Sequence, residues 1–471
     1  MLRLSKIKKT LGDFGDLYYD AVGQWKKTNI KKAVDILEPL SDYISLVRQI
    51  TTELPDLLGG KGTRRYLFLF MNNMELRPGG GFIGSLGVME FSHFSLTSLR
   101  IYDVYSLDGQ LKLHYDPPAA IRTYLDQPHL FVRDAAFSPD FGASVVEIER
   151  LIQAEVGWDR FDGVIGVTLS AVQKLIGVFP DFYVSSYDEW LTPDNFFIKA
   201  QEYAETGFFP GSHGKRNFLE SVVRTAQTKL EEGDYNFISL VMTIGTVFDE
   251  KLAAVRFSKE SVQSSFDELF WTGRVIKPGC NTGTSCFFDY VQVVDANLGV
   301  NKANFFVQRS VRLATSIDRD RHVSNSLTIL YQNNSIERVF PGGRYKNYLQ
   351  VYLPQETLIR KVAIDGEPVL DYVEDTDLGF KRIGFLAEVP IGSSRSVTIQ
   401  YDFTNTLGKE KEYQLIVQKQ IGLLNNDFIY QMHVAPPLGV LTTNFTPVVR
   451  KTDFVYNTFL EKDRLLLIKF K

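Results

Sequence analysis

The hydrophobic pattern changes period near Asn304, and that change divides the chain into two differently built parts. Ahead of it, apolar residues recur at three- and four-residue steps in stretches that alternate with short apolar runs. That is the pattern of strands interleaved with covering helices. From Phe305 to Lys471, strand-length runs are separated by turn signals and show little helical period. Many short strands at such spacing imply a β-sandwich. A chain of 471 residues has room for two domains or three.

In the first part, Ile36, Leu37, Leu40, Ile44, Val47, Ile50 and Leu54 predict a helix from about Ile30 to Leu58, with a break or kink at Pro39. Strands are expected over Tyr66 to Phe70, Gly84 to Phe91, Leu96 to Tyr105 and Phe161 to Val167. Helices are expected over Pro117 to Leu125, Ala143 to Val156, Leu169 to Ile176, Lys215 to Glu232, Phe237 to Phe248 and Lys259 to Leu269. In the second part the strand candidates run from Val311 to Ile317, Ser326 to Tyr331, Tyr348 to Tyr352, Ser396 to Tyr401, Tyr413 to Gln418 and Leu465 to Phe470. Turns fall at Pro341-Gly342-Gly343, Asp365-Gly366 and Ile391-Gly392-Ser393.

Several function classes are excluded. A formal net charge of -4 gives no field that would recruit nucleic acid. No segment reaches the roughly 18 apolar residues of a membrane span. The N-terminus is basic but lacks the apolar stretch of a signal peptide, so the chain as given reads as soluble. His93, His114, His129, His213, His322 and His433 show no metal-ligand spacing, and there is no G-x-S-x-G elbow. The aromatic share of 13% fits β-rich cores and, more weakly, carbohydrate contact. Cys280 and Cys286, in the run CNTGTSC, close a disulfide if the compartment is oxidising and are otherwise two reduced thiols on a loop.

Three constellations could carry chemistry. The stretch NNMELRPGGGFIGSLG, Asn72 to Gly87, follows one strand and leads into another. Its glycines Gly79, Gly80 and Gly81 permit positive φ, and their amides could cradle an anion beside Arg77. The competing reading is a tight connection with Arg77 paired to Glu75 or Asp103. Arg133 and Asp134 form the second group, as anion ligand and as base or magnesium ligand, with Asp140 as a helix cap behind them. Lys215 and Arg216 open a helix whose N-terminus favours anions, and Arg224 sits about 80° further toward solvent than Arg216. A solvated helix start accounts for these two equally well.

The run YLFLFMNNMELRPGGGFIGSLGVMEF, Tyr66 to Phe91, resembles the bacterial family named domain of unknown function 4012. The resemblance continues through IYDVYSLDGQL, RDAAFSPDF and FDGVIGVTLSAVQKLIG, and reappears at NLGVNKANFFVQRSV, PGGRYKNYLQVYLP and YQLIVQKQIG. It implies a single-pass membrane protein with its bulk on the extracytoplasmic face of the cell membrane. The span is missing from this chain, which implies either an N-terminal truncation or an unusual start. The family is also distantly similar to the LytR-CpsA-Psr phosphotransferases. That similarity implies an α/β/α sheet domain over residues 61–304, between an N-terminal helical segment (1–60) and the sandwich (305–471). It also implies a polyprenyl-linked glycan or cell-wall polymer as partner. By position, Arg77, Arg133, Arg216 and Arg224 become phosphate ligands and Asp103 and Asp134 the acids that hold Mg2+ and assist transfer. Arg100-Ile101-Tyr102-Asp103 stands where that superfamily has Ile-Pro-Arg-Asp, and only Lys215-Arg216 remains of its dense arginine pattern. Two functions follow: a glycopolymer phosphotransferase, or a non-catalytic envelope protein that binds glycan or protein.

Overall fold

The computed structural model describes residues 52–205, 214–280, 286–336, 341–408, 412–424 and 426–471. Most of the helix expected over residues 30–58 lies outside them; its end is helical over 52–57. The first domain is built on a five-stranded sheet of β1 (Arg64–Asn72), β2 (Phe82–Ser92), β3 (Ser95–Asp103), β4 (Gly163–Thr168) and β7 (Ala253–Phe257). Its order is β3-β2-β1-β4-β7, with β1 and β4 parallel and the other pairs antiparallel. A small hairpin, β5 (Tyr183–Val184) and β6 (Glu189–Trp190), stands apart.

The helices are α1 (Val104–Asp108), α2 (Ala119–Leu125), α3 (Phe141–Val156), α4 (Leu169–Ile176), α5 (Phe196–Glu205), α6 (Gly214–Glu232), α7 (Phe237–Asp249) and α8 (Glu260–Glu268). Asp140 caps α3 by accepting from the Ala143 amide at 2.9 Å, and Gly157 ends it at φ +70°. Thr168 caps α4 through the Ala171 amide at 3.2 Å. The apolar stripe of α3 (Phe141, Val145, Ile148, Leu151, Ile152) packs on Leu67 and Leu69 of β1. Tyr66, Val255 and Phe257 pack instead with Val262, Phe266 and Trp271 of the α8 region. Alternate side chains of β1 thus enter two separate cores, one on each face of the sheet.

The second domain contains β8 (Phe287–Asn297), β9 (Val307–Ile317), β10 (His322–Asn333), β11 (Tyr345–Leu353), β12 (Thr357–Ile364), β13 (Glu367–Pro368), β14 (Val373–Asp377) and β15 (Phe380–Val389). It continues with β16 (Ser394–Thr406), β17 (Glu412–Gln418), β18 (Asp427–Val434), β19 (Val440–Thr443), β20 (Val448–Arg450), β21 (Asp453–Phe459) and β22 (Arg464–Phe470). An eight-stranded sheet, β13-β12-β16-β10-β9-β18-β21-β20, faces a seven-stranded one, β14-β15-β11-β8-β17-β22-β19. Leu313, Leu327, Ile329 and Ile399 of the first meet Val291, Leu349, Val351 and Leu415 of the second in one core.

Several elements were not among those expected, α5, β12, β15 and β18 with them, and two bear on the layout. β7 was not expected: Ala253–Phe257 is five residues wedged between helices, and its pairing with β4 makes it a strand. No strand was expected over β8, whose residues fall within the expected first domain; it pairs with β11 and β17, so the sandwich begins at Phe287 rather than near Asn304.

The domains interpenetrate. After β17 the chain runs back into the first domain, where Ile421 joins the core beneath α3. Gly422 donates to the Lys251 carbonyl at 2.7 Å. Gly422 has φ +77°, and a Cβ there would lie 2.1 Å from the Gly80 carbonyl oxygen. Glycine is therefore required on both counts. Replacing Gly422 by alanine is expected to lower the unfolding midpoint markedly in urea titration. The same change at Gly366, also at positive φ but with nothing within 4 Å of its Cβ, is expected to cost much less.

Candidate functional site

The glycine-rich motif leaves β1 at Asn72 and re-enters the sheet at Phe82, and its backbone is committed within the protein. The Glu75 amide donates to Asn72 O at 3.1 Å and the Phe82 amide to Glu75 O at 3.0 Å. The Gly79 amide donates to Ala136 O at 2.9 Å and the Gly80 amide to Arg77 O at 3.0 Å. These two N–H groups are not presented to an anion. Gly81, at φ +154°, passes so close to Asn72 that a Cβ would meet its carbonyl oxygen at 2.5 Å. The glycines serve close backbone approach rather than ligand cradling.

Arg77 is 1% exposed. Its Nε and Nη2 donate to Asp134 Oδ1 at 2.9 and 2.7 Å, and Nη2 also reaches Glu75 at 3.1 Å. Nη1 donates to the carbonyl of Asn297, at the end of β8, at 2.6 Å. A buried cation must be paired and hydrogen-bonded, and this one is. The motif is tied to the sandwich at further points. Asn297 N donates to Leu76 O at 2.9 Å, and Leu76 N to Asn304 Oδ1 at 3.1 Å. Gln420 Nε2 donates to Arg77 O at 3.1 Å, and Asn73 Nδ2 to Gly422 O at 2.9 Å.

Arg133 lies beside this group and is spent on acids too. It pairs with Asp108 at 2.7 Å and approaches the second oxygen of Asp134 at 3.7 Å. Its guanidinium stacks on Phe131, 4.1 Å from the ring centroid. Asp103 serves as a helix cap, accepting from the Ser106 amide at 3.3 Å. Asp134 is held between two guanidinium groups, whose charge opposes a cation. Asp134 therefore does not fit the Mg2+ site that the resemblance implied. Among the described residues, one group of three could reach a common ion: Asp318, Asp320 and His322, all exposed, at the turn from β9 into β10.

Arg224 is not part of the cluster: it is exposed on α6 and pairs with Glu220 one turn away, at 2.7 Å. α6 packs Phe218 and Val222 on Ile176, Phe182 and Phe196, a core distinct from the one beneath the motif. The Arg216 side chain lies outside the described residues. Arg77 is thus a buried cation paired with Glu75, as the competing reading had it, and with Asp134; Asp103 caps a helix, and Arg224 lies on the surface. Arg77, Arg133 and Asp134 do converge, but as charges that neutralise one another. Cys280 and Cys286 are joined by a disulfide, with Cα atoms 5.8 Å apart.

Sequence reasoning missed Glu155. It lies on α3, 7% exposed, with both carboxyl oxygens buried and without a hydrogen-bond partner. Burial, together with the charge of Asp108, pushes its pKa up to about 8. Burial likewise raises Asp108 to about 6 against the pull of Arg133. The two carboxyls act as a coupled pair. The signal was present: Glu155 stands three and four places after Ile152 and Leu151, on the apolar face of the helix.

Residues 61–203 match the family described as "Protein of unknown function (DUF4012)". No curated protein matches the chain. Among solved structures, the chain is similar to leukotriene A4 hydrolase from Saccharomyces cerevisiae at 11% identity and a TM-score of 0.24, over 35% of this chain and 29% of that one. It is similar to an M1 zinc metallopeptidase from Deinococcus radiodurans at 10% identity and a TM-score of 0.21, over 35% of this chain and 42% of that one. The chain thus spans less than half the length of either protein. Likenesses this slight say nothing of what it does.

Removing Arg77 leaves Glu75 without its guanidinium and Asp134 with only the longer contact to Arg133. Arg77→Met is expected to cost about 3–5 kcal/mol in chemical denaturation. Arg224→Ala is expected to cost about 0–1 kcal/mol, as exposed pairs do. Because folding raises the pKa of Glu155, the folded state holds a proton that the unfolded state releases. The associated stability is full below the unfolded value of 4.5 and is lost as pH rises through about 8. Thermal unfolding at about pH 5 and about pH 8.5 should show the lower midpoint at the alkaline value, and Glu155→Gln should flatten the difference.

Proposed function

We propose that this is a non-catalytic cell-envelope protein whose two domains are joined to present a binding surface. The burial of Arg77 carries this reading. A phosphotransferase needs cations free to meet developing phosphate charge. Here Arg77 and Arg133 are consumed by Glu75, Asp108 and Asp134. The Cys280–Cys286 disulfide supports an oxidising, extracytoplasmic location. The membrane would be reached through a segment ahead of the sandwich and sheet, as in the family the sequence resembles.

The surface that best fits a glycan is the outer face of the eight-stranded sheet. A groove of about 540 Å3 there is lined by Ser316, Ser324, Ser326, Gln400 and Gln431. The ion pairs Arg360–Asp402 and His433–Asp453 flank it. Hydroxyl and amide side chains offer both donors and acceptors, which suits sugar hydroxyls.

Two measurements on the full chain test the proposal. Geranylgeranyl pyrophosphate with Mg2+ should leave the melting temperature unchanged; a saturable rise that is lost in Arg133→Gln would revive the phosphotransferase reading. Purified cell-wall polysaccharide should co-sediment with the wild type, and Ser324→Trp, which fills the groove, should reduce retention. Equal retention by both proteins would refute the groove.

A further inference from the structure

The hairpin of β5 and β6 divides its side chains between two faces. Val184 turns inward to a core shared with Phe182, Leu191, Phe196 and Phe218. Its cross-strand partner Glu189 reaches Lys199 of α5 at 2.9 Å. The other cross-strand pair, Tyr183 and Trp190, lies on the outer face. Their rings touch, with centroids 4.9 Å apart and planes tilted by 37°. Trp190 is nevertheless 58% exposed. It presents an open indole face, and the phenol beside it extends the plate. Single exposed apolar residues are ordinary, but two adjoining rings form a patch of defined shape.

The rim of the plate is polar and acidic. The Tyr183 hydroxyl donates to Asp188 Oδ1 at 2.7 Å, so an exposed carboxylate stands at the ring edge with further acceptor positions to offer. Residues 181–194 contain Asp181, Asp188, Glu189 and Asp194 and no lysine or arginine. Lys229 pairs with Asp181 and Lys199 with Glu189, which leaves Asp188 and Asp194 as the net charge of the hairpin. The backbone beneath is anchored. Ser186 bonds Ser221 of α6 at 2.9 Å, and Asn195 Nδ2 donates to the Trp190 carbonyl at 2.8 Å. Rings held this way are preorganised for a ligand.

Size and charge decide among occupants. A stable protein interface takes about 800 Å2 per partner. Two aromatic side chains bury about 150–250 Å2 each when wholly covered, which falls well short. An anionic membrane surface is repelled by the two uncompensated acids and meets no basic residue on the hairpin. A quaternary ammonium is held best by rings on several sides, and here both rings belong to one plate. A pyranose fits both parts of the site. One face of the sugar is a run of C–H bonds that lies flat on an indole, and the hydroxyls at its edge donate to a carboxylate.

We propose that Trp190 and Tyr183 form a stacking platform for a neutral pyranose, with Asp188 accepting from its hydroxyls. The platform belongs to the first domain and uses no residue of the outer groove, so either site can fail without the other.

The test is calorimetric titration of the full chain with triacetylchitotriose, cellotriose, trigalacturonate and choline. At least one neutral trisaccharide should bind saturably, about tenfold or more tighter than trigalacturonate or choline. Trp190→Ala should weaken it about tenfold or more. The Trp190 side chain lies outside the core, so the unfolding midpoint of that variant should match the wild type. Asp188→Asn suits the left-handed backbone at φ +52° and removes the charge and one acceptor oxygen; it should weaken the sugar about threefold. Ser324→Trp, in the outer groove, should leave trisaccharide binding unchanged. The proposal is overturned if neither neutral trisaccharide binds the wild type, or if choline or trigalacturonate binds as tightly. It is also overturned if Trp190→Ala or Asp188→Asn binds unchanged, or if Ser324→Trp abolishes binding, which would move the sugar to the groove.

Discussion

The arrangement of the two domains depends on one buried guanidinium. Arg77 is 1% exposed, is neutralised by Asp134 and Glu75 of its own domain, and gives its remaining nitrogen to the Asn297 carbonyl of the sandwich. A charge placed so far from water is tolerated only if every one of these partners is in place. Separating the domains would take the Asn297 carbonyl from a buried guanidinium whose two acids stay with it. Such a pair says little about net stability by itself, since apolar residues could fill the same volume at no loss. Its consequence is specificity of docking: the guanidinium fork accepts few alternative geometries.

Close backbone contact reinforces that docking. Gly80 and Gly422 come from opposite ends of the chain and meet where no side chain fits. Ile421 extends the sandwich's own strand into the first domain's core. The three-glycine motif accordingly reads as part of a junction, and the amides of Gly79 and Gly80 are already bonded. A cavity of about 400 Å3 beside it follows from the same junction, because two curved surfaces joined at a few points leave space between them.

Much of the local structure was legible. α4 lies where its stripe placed it, Leu169 to Ile176, because Thr168 caps it and the preceding strand ends there. α3 and α6 begin within two residues of expectation. β7 was illegible because five residues between helices carry no distinguishing period. β8 was read as a strand of neither domain because, buried on both faces, it shows no alternation. The site residues divide in the same way. Arg77, Arg133 and Asp134 were picked out as a group, and they do gather. The pairing of Arg77 with nearby Glu75 was one of the readings offered; its pairing with Asp134 was not, since nothing in the spacing of residues 77 and 134 shows that one charge cancels the other.

The sequence by itself determined the elements, the two-part architecture and the identity of the glycine motif, because periodicity, caps and turn residues act over a few positions of chain. The tertiary structure decided which charges stand free and which are spent. Solvation and ion pairing depend on distances between residues far apart in sequence, and those distances exist only once both cores have closed around Arg77 and Ile421.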